Sequence, residues 1–361
     1  MTNRERIIQT LLCKPTDRVP FGVSLGFLPW GSTLERWRQE SGIKDLNINE
    51  YFGYDQGFIT LPLEQGPFPH IPEKIISQNE EFIIKTDWRG ITMRNRRDGN
   101  SMPEFLAHPI RTPDDWERYK DEKLQPHLTE RIASLNELIA TYKKIDAPIQ
   151  VGSFPWGMFG TPRDLLGTEE LLIGFYTQPE LIKDIINTYT DLWLKLFAEV
   201  ENKIHIDHIH IWEDMSGKTG SLISMQMVEE FMMPSYDRIA DFAAKHNIPL
   251  ISVDSDGLVN ELLEVMIKHG VNVFLPFEVQ AGNDILEYRK KYPFLGIIGG
   301  LDKNTLSETA PKEAMYHELD KAEEMLSFGG YIPAFDHLIP PNVPWHKWKF
   351  FMNELKKIIG L

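Results

Sequence analysis

The chain has 361 residues, 42% of them hydrophobic, a size that fits one large barrel domain or two ordinary domains. Its 38 lysines and arginines against 53 aspartates and glutamates give a formal charge of -15, which argues against nucleic acid and anionic membranes as partners. The single cysteine, Cys13, excludes a disulfide within the chain and favours a cytoplasmic protein. We expect neither a signal peptide nor a membrane helix, which needs roughly twenty apolar residues.

The predicted elements begin with an amphipathic N-terminal helix, because Thr2 and Glu5 form a capping box. Eight short stretches rich in β-branched or aromatic residues follow, most of them separated by helical patterns. In chain order they are "VPFGVSL", "YDQGFIT", "PIQVGSF", "HIHIW", "PLISVDS", "VNVFLPFE", "FLGIIGG" and "YIPAFDH". Strands that alternate with helices indicate a parallel sheet, so we predict an α/β fold, the (β/α)8 TIM barrel.

The stretch from about residue 62 to 147 is too long to be one crossover between barrel strands. It contains a predicted hairpin, "EEFIIKTDWRGITMRNRR", and a predicted helix, "LTERIASLNELIATYKK". We interpret this stretch as an insertion after the second strand, and residues 1–361 as a single barrel domain.

Ionisable side chains follow most of the predicted strands. Active sites of such barrels lie at the carboxyl ends of the strands, so these side chains form the candidate site. They are Glu213, Asp214, Asp254, Asp256, Glu278, Asp302, Lys303, Asp336 and His337. Asp254 and Asp256 share one face of an extended chain, where their carboxylates repel each other unless a cation, a proton or water separates them.

Acids and a histidine from separate strands can converge on a divalent metal. We predict Asp254, Glu278 and His337 as metal ligands, with Asp256 as a further ligand or a catalytic neighbour. Zinc is the expected metal, and oxygen-rich ligation also suits manganese or iron. The alternative is structural: Asp254 or Asp256 caps the helix that begins near Gly257, and Glu278 pairs with a lysine or arginine.

Aromatic residues and a histidine are predicted to form the substrate-binding surface. His210 and Trp212 lie on one face of "HIHIW", near its carboxyl end. The loop "GSFPWGMFG" brings Phe154 and Trp156 beside three glycines, which suits a flat apolar wall. The alternatives are a hydrogen-bonded structural histidine and ordinary core packing of the tryptophan.

Six stretches along the chain resemble, in order, the uroporphyrinogen decarboxylase superfamily. They are "RERIIQTLLCKPTDRVPF", "DMSGKTGSLIS", "DSDG", "PFEVQAGND", "GIIGGLDK" and "GGYIPAFDHLIPPNVP". That superfamily consists of (β/α)8 barrels, both haem-pathway decarboxylases and methyltransferases that act with corrinoid proteins. The decarboxylases carry an arginine-rich "RQAGR" loop after the first strand, where this chain has "SLGFLPWGSTLERW". The resemblance therefore implies the methyltransferase-like branch and argues against uroporphyrinogen as the substrate.

The thiol-directed methyltransferases of that superfamily bind zinc through a His-x-Cys pair and a later cysteine before an "IPP"-like segment. The matching positions here are Asp254, Asp256 and His337, so the resemblance implies a metal site with oxygen ligands in place of thiolates. Hard oxygen ligands favour activation of an ether, hydroxyl or amine over that of a thiolate.

The leading functional expectation is a corrinoid-dependent methyltransferase that acts on a small methylated compound such as an aromatic methyl ether. The corrinoid must come from a separate protein, because the chain lacks a D-x-H-x-x-G signature. In this scheme the metal activates the substrate heteroatom, and Glu213 or Asp214 donates a proton. The alternatives are a metal-independent decarboxylase (lyase) of a small acid and a non-catalytic binder of a corrinoid or another tetrapyrrole. A homodimer is the default expectation at this size.

Overall fold

The computed structural model of the protein describes residues 1–97 and 102–361. Within these residues the strands are β1 Ile59–Thr60, β2 Lys74–Gln78, β3 Phe82–Thr86, β4 Thr92–Arg96, β5 Glu104–Ala107, β6 Ile149–Val151, β7 His208–Trp212, β8 Ser216–Gly217, β9 Gly220–Ser221, β10 Leu250–Asp254, β11 Val273–Leu275, β12 Gly296–Leu301 and β13 Tyr331–Phe335. The main sheet is parallel and has the order β1, β6, β7, β10, β11, β12, β13.

Helices follow most strands of the main sheet. They are α1 Asn3–Leu11, α2 Gly31–Ser41, α3 Ile48–Phe52, α4 Pro113–Lys123, α5 Leu128–Arg131, α6 Ala133–Tyr142, α7 Gly160–Leu166, α8 Thr168–Thr177, α9 Pro179–Glu201, α10 Met225–Met227, α11 Met233–His246, α12 Asn260–Lys268, α13 Ile285–Lys291, α14 Lys312–Phe328 and α15 Trp345–Ile358. The predicted capping box is present at the start of α1. In the described ranges, no helix combines the length and the apolar character needed to cross a membrane.

Seven of the eight predicted barrel strands are confirmed. "YDQGFIT" contains β1, which pairs in parallel with β6 through Ile59 and Ile149. The other six stretches contain β6, β7, β10, β11, β12 and β13. Their order in the sheet follows their order in the chain, as expected of a TIM-barrel-like fold built from successive strand and helix units.

The prediction of a strand at "VPFGVSL" is wrong. Pro20 has no N–H to contribute to a sheet, and Gly22 has φ of 76°, which is outside the extended region. A side chain at Gly22 would also collide with the ring of Tyr54, since an added Cβ would lie 2.2 Å from it. The chain therefore turns at this position and the ladder of a regular strand is not formed.

The same irregular segment nevertheless lies between the two outer strands of the sheet. On the β1 side, Asp55 N–H donates to the Phe21 carbonyl at 2.8 Å. On the β13 side, Ile339 N–H donates to the Leu28 carbonyl at 2.9 Å. The result is a TIM-barrel-like α/β fold with a curled sheet of seven parallel strands, and residues 21–28 make backbone hydrogen bonds toward both of its outer strands.

The chain between β1 and β6 forms elements outside the parallel sheet. β2, β3, β4 and β5 build a four-stranded antiparallel sheet, and its central pair β3 and β4 is the predicted hairpin. The predicted helix is present as α5 and α6, interrupted at Ile132. Its neighbour α9 buries residues spaced three or four apart, as expected of a helix with one apolar face: Ile182, Ile186, Tyr189, Trp193 and Leu196.

Candidate active site

Parallel register places the candidate side chains in layers at the carboxyl ends of β7 and β10. Trp212 is level with Asp254, and His210 is level with Ser252 one layer deeper. Side chains alternate between the two faces of a strand, so His210 and Trp212 share a face, as do Ser252 and Asp254. The two pairs therefore form one continuous patch from the barrel interior to its mouth.

Two carboxyl groups at this mouth have strongly shifted acidity. Burial raises the pKa of Asp254 well above its ordinary value, and the nearby carboxylates of Asp256 and Asp214 raise it further. Burial, followed by the charge of Glu278, raises the pKa of Asp256 to about 7. Each carboxyl has a histidine nearby: His210 Nε2 lies 3.9 Å from Asp254 Oδ2. The mouth thus holds two carboxyl groups that bind a proton more tightly than an ordinary aspartate does.

Asp256→Asn should stabilise the protein above neutral pH and have little effect in acid. The folded pKa of about 7 exceeds the model-compound value of 3.8, so the unfolded chain releases this proton first as the pH rises. As the pH rises from the unfolded pKa to the folded pKa, the free energy of unfolding of the wild type therefore decreases relative to that of the variant. Because 37% of the side chain is exposed, solvent screening limits the expected gain. We expect about 1 to 2 kcal/mol.

Urea unfolding of both proteins at about pH 4 and about pH 8, near the two ends of this range, measures the difference. A gain in the free energy of unfolding that is the same at both pH values would contradict the shifted acidity of Asp256. The raised pKa requires the gain to grow as the pH rises. The exposed acid Glu180 supplies the matched control: Glu180→Gln should change the free energy of unfolding by no more than about 0.5 kcal/mol at either pH.

Two of the predicted metal ligands, Asp254 and His337, line one small cavity together with Asp256, whereas the third, Glu278, is engaged elsewhere. Glu278 Oε2 accepts the Gly257 N–H at 2.9 Å. His337 Nδ1 accepts the Leu338 N–H at 2.8 Å, which leaves the proton of a neutral imidazole on Nε2, the other possible metal-binding atom. In residues 1–97 and 102–361, no three His, Cys, Asp or Glu side chains form a group that could hold a metal ion. The residues in this arrangement therefore do not fit the expected metal.

Two adjoining cavities open at the mouth and share Asp254. The larger has a volume of about 580 Å³ and is lined by His208, His210, Phe58, Phe154 and neighbouring residues. The smaller, about 60 Å³, is lined by residues that include Asp256, Trp212 and His337. No lysine or arginine of the described chain lines either cavity. The space beside Asp254 is therefore suited to a neutral ligand.

The predicted aromatic wall is only partly at the cavity. Phe154 is 59% exposed, lines the larger cavity and packs edge to face on Trp212 with ring centroids 4.6 Å apart. Trp156 is buried and stacks on Tyr189 at 6.1 Å, so it belongs to the core, which is the alternative that the sequence left open. Phe154 and Trp212 remain the aromatic candidates for ligand contact.

Glu213, predicted as a proton donor, lies away from the cavities and is completely buried. Four donors bind its carboxylate: the N–H groups of Met158, Phe159 and Gly160 and the hydroxyl of Tyr236. Burial raises its pKa, and the four donors oppose that shift. Glu213 therefore anchors the loop that begins at Gly157, where an added Cβ would lie 2.7 Å from its carboxylate. This geometry does not fit proton donation to a substrate.

Asp214, the other predicted proton donor, is engaged in an ion pair. Its Oδ2 lies 2.9 Å from Arg163 Nη2, and the Arg163 guanidinium lies 4.7 Å from the centre of the Trp212 ring. The Asp214 charge contributes to the raised pKa of Asp254. Asp214 thus acts on the site through its neighbours, by holding the cation that covers Trp212.

Ser252 is the site residue that sequence reasoning missed. Its hydroxyl oxygen lies 2.6 Å from His208 Nε2 and 2.8 Å from His210 Nδ1, so it bridges the two histidines. The period of two places Ser252 on the same face as Asp254, which is a usable signal. Its partners come from β7, and only the register between the strands identifies them.

The parallel sheet and the acids at its carboxyl ends define a TIM-barrel-like protein with a strand-end site. Residues 89–358 match the uroporphyrinogen decarboxylase (URO-D) family, and the chain therefore belongs to that family. A solved structure described as a methyltransferase from Methanosarcina mazei is 16% identical, with a TM-score of 0.60 over 99% of each chain. This similarity shows a shared fold. No curated protein matches the sequence.

Proposed function

We propose that the protein is a methyltransferase that moves the methyl group of a small, neutral aryl methyl ether to a corrinoid held by a separate protein. The observation that carries the proposal is Asp254, a buried carboxyl group with a raised pKa beside a cavity with no lining lysine or arginine in the described chain. Membership of the uroporphyrinogen decarboxylase family and the fold shared with a Methanosarcina mazei methyltransferase support an enzyme of this type.

The charge of the cavity favours a neutral substrate over an acid. Its acidic lining residues, in the described ranges, are Asp55 and Asp254, and it has no basic lysine or arginine there. Asp55 already pairs with Arg18 at 2.5 Å, so that cation is not free for a ligand. A carboxylate substrate would enter a desolvated acidic space without a counter-ion, which is unfavourable. This observation ranks methyl transfer above decarboxylation of a small acid, and it argues against uroporphyrinogen with its many carboxylates.

In the proposed reaction, Asp254 donates its proton to the ether oxygen as the bond between that oxygen and the methyl carbon breaks. The electron pair of the bond stays on the oxygen, and the product is a phenol. The corrinoid supplies the nucleophile that accepts the methyl group. In this proposal, proton donation takes the place of the metal activation expected from the sequence, because within residues 1–97 and 102–361 no three side chains gather as metal ligands. Asp256 lies next to Asp254 and can return a proton to it through solvent.

In this proposal, the rim of the larger cavity is the surface that meets the planar macrocycle of the partner. Three of its lining residues expose apolar surface: Leu25 at 45%, Leu28 at 40% and Phe154 at 59%. Exposed apolar side chains grouped at a site entrance are typical of surfaces that are covered during function. These residues would contact the corrinoid or the protein that carries it.

The proposal predicts methyl transfer from methoxybenzene to free cob(I)alamin in the presence of the purified protein. The absorbance of methylcobalamin and the release of phenol measure it, with the reaction lacking protein as the control. Activity should persist after exhaustive chelation, and uroporphyrinogen should not be decarboxylated. Activity that chelation removes and zinc restores would contradict proton donation by Asp254 in favour of a metal, and carbon dioxide release from a small acid would favour the lyase.

A further inference from the structure

A hydrogen-bonded chain of His208, Ser252 and His210 lies inside the barrel. The Ser252 hydroxyl stands between His208 Nε2 at 2.6 Å and His210 Nδ1 at 2.8 Å. Both histidine rings line the larger cavity, and their centres are 5.8 Å apart. His210 is the member nearer the mouth, with Nε2 3.9 Å from Asp254 Oδ2. The chain thus ends at the group proposed to donate the proton.

The number of protons in this chain restricts its arrangement. A serine hydroxyl donates one hydrogen bond and can accept two. Among the described residues, the two histidines are the only hydrogen-bond partners of the Ser252 hydroxyl, so it donates its proton to one of them and accepts from the other. Burial lowers the pKa of both histidines, that of His210 to about 4, so both rings are neutral near pH 7. Each ring then carries a single N–H, and two arrangements of opposite direction remain.

The outer nitrogen of His208 decides between the two arrangements. His208 is 2% exposed, and its Nδ1 has no hydrogen-bond partner in the part of the chain that the structure describes. An N–H buried without an acceptor is costlier and rarer than an unused lone pair. The His208 proton therefore lies on Nε2 and is donated to Ser252. Ser252 in turn donates to His210 Nδ1, which leaves the proton of His210 on Nε2.

We infer that His208 and Ser252 are positioning residues that hold the proton of His210 on Nε2, so that His210 offers an N–H donor to an acceptor oxygen of the ligand beside Asp254. The identity of this oxygen as an aryl ether rests on the proposed function. An ether oxygen has two lone pairs, so it can accept from His210 and take the Asp254 proton together. The inferred ligands are therefore neutral compounds that place an acceptor oxygen beside His210 Nε2 and Asp254.

Nitrogen-15 NMR of histidine-labelled protein tests the positions of the protons directly. Near neutral pH we expect His208 and His210 both to carry the proton on Nε2. Ser252→Ala and His208→Phe should remove this preference at His210. His208→Gln should restore it, because the glutamine amide retains an N–H donor for Ser252. His246→Gln, on the distant helix α11, is the matched control and assigns its own signal. A proton on Nδ1 of His210 in the wild type overturns the inference.

A pair of probes of similar shape tests the ligand part. Methoxybenzene and ethylbenzene differ by an oxygen in place of a methylene group, so their affinities, measured by calorimetry, isolate one hydrogen bond. We expect methoxybenzene to bind about two- to tenfold more tightly to the wild type. This advantage should disappear in Ser252→Ala and return in His208→Gln, while ethylbenzene binds all three alike. Thermal unfolding verifies that each variant is folded.

The binding and methyl-transfer experiments have different outcomes if the inference about His210 is wrong and if the proposed function is wrong. Equal affinity of the two probes for the wild type overturns the donor role of His210, even if methyl transfer is observed. Binding of methoxybenzene with the expected advantage, but without methyl transfer, supports the inference and contradicts the proposed function. If neither probe binds, the aryl ether and the ligand part of the inference are both overturned.

Discussion

Asp254→Asn should lower the rate of methyl transfer from methoxybenzene by about 10²- to 10⁴-fold, the usual contribution of a general acid. Asparagine preserves the size of the side chain but has no acidic proton to give to the departing oxygen. Phenolate without a proton is a poor leaving group, so the loss should appear in kcat. The raised pKa of Asp254 is the physical basis of this expectation, since an ordinary aspartate would be ionised at neutral pH.

Varying the leaving group of the ether distinguishes the loss of a proton donor from a general loss of activity in Asp254→Asn. 4-Nitrophenolate departs readily without protonation, so the deficit of Asp254→Asn should shrink to about tenfold or less with 4-nitroanisole. Asp207→Asn is the matched control, because Asp207 is buried at the opposite end of β7, where it accepts the Ile149 N–H at 2.7 Å. Asp207→Asn should change the free energy of unfolding. The ratio of its methyl-transfer rates with the two ethers should equal that of the wild type. If Asp254→Asn lowered the rate equally with methoxybenzene and with 4-nitroanisole, acid catalysis by Asp254 would be contradicted.

Local sequence pattern was sufficient to predict most of the fold. Runs such as "HIHIW" and "PLISVDS" are strands because β-branched and apolar residues line a buried parallel sheet, and this property is visible in a short window. "VPFGVSL" is also rich in apolar and β-branched residues but does not form a strand. Its failure depends on Gly22 and on the Tyr54 ring that lies against it, a contact between positions far apart in the chain. Composition alone does not contain that information.

The candidate site was predicted in its location and less well in its roles. The position of Asp254 and Asp256 at a strand end follows from the alternation of side chains. Burial is the first cause of the raised pKa of each, and the charge of Asp256 adds to the shift at Asp254. Proton sharing, one of the options that the sequence left open for this pair, is the one our proposal adopts. The Ser252 bridge and the Glu213 anchor depend on partners from other elements, so the sequence around them could not reveal either role.

Glu213→Ala should destabilise the protein by about 3 to 5 kcal/mol, a large part of the roughly 5 to 15 kcal/mol that holds a typical domain. The substitution leaves the N–H groups of Met158 and Phe159 and the hydroxyl of Tyr236 without their acceptor in a buried region. The Gly160 N–H loses a weaker contact at 3.3 Å. Phe154 lies three residues before this loop, so disorder of the loop should also raise KM for an aromatic substrate.

Urea unfolding of three variants distinguishes anchoring from proton donation. Tyr236→Phe removes one of the four donors and should cost about 1.5 to 3 kcal/mol, less than Glu213→Ala. Glu180→Ala, whose side chain is 87% exposed, should change the free energy of unfolding by no more than about 0.5 kcal/mol. If Glu213 donates a proton to the substrate instead, Glu213→Gln would lose turnover while its stability stayed close to that of the wild type. We expect the reverse order of effects. Among the described residues, the donors around Glu213 belong to residues 158–160 and to α11, and no cavity-lining residue contacts its carboxylate.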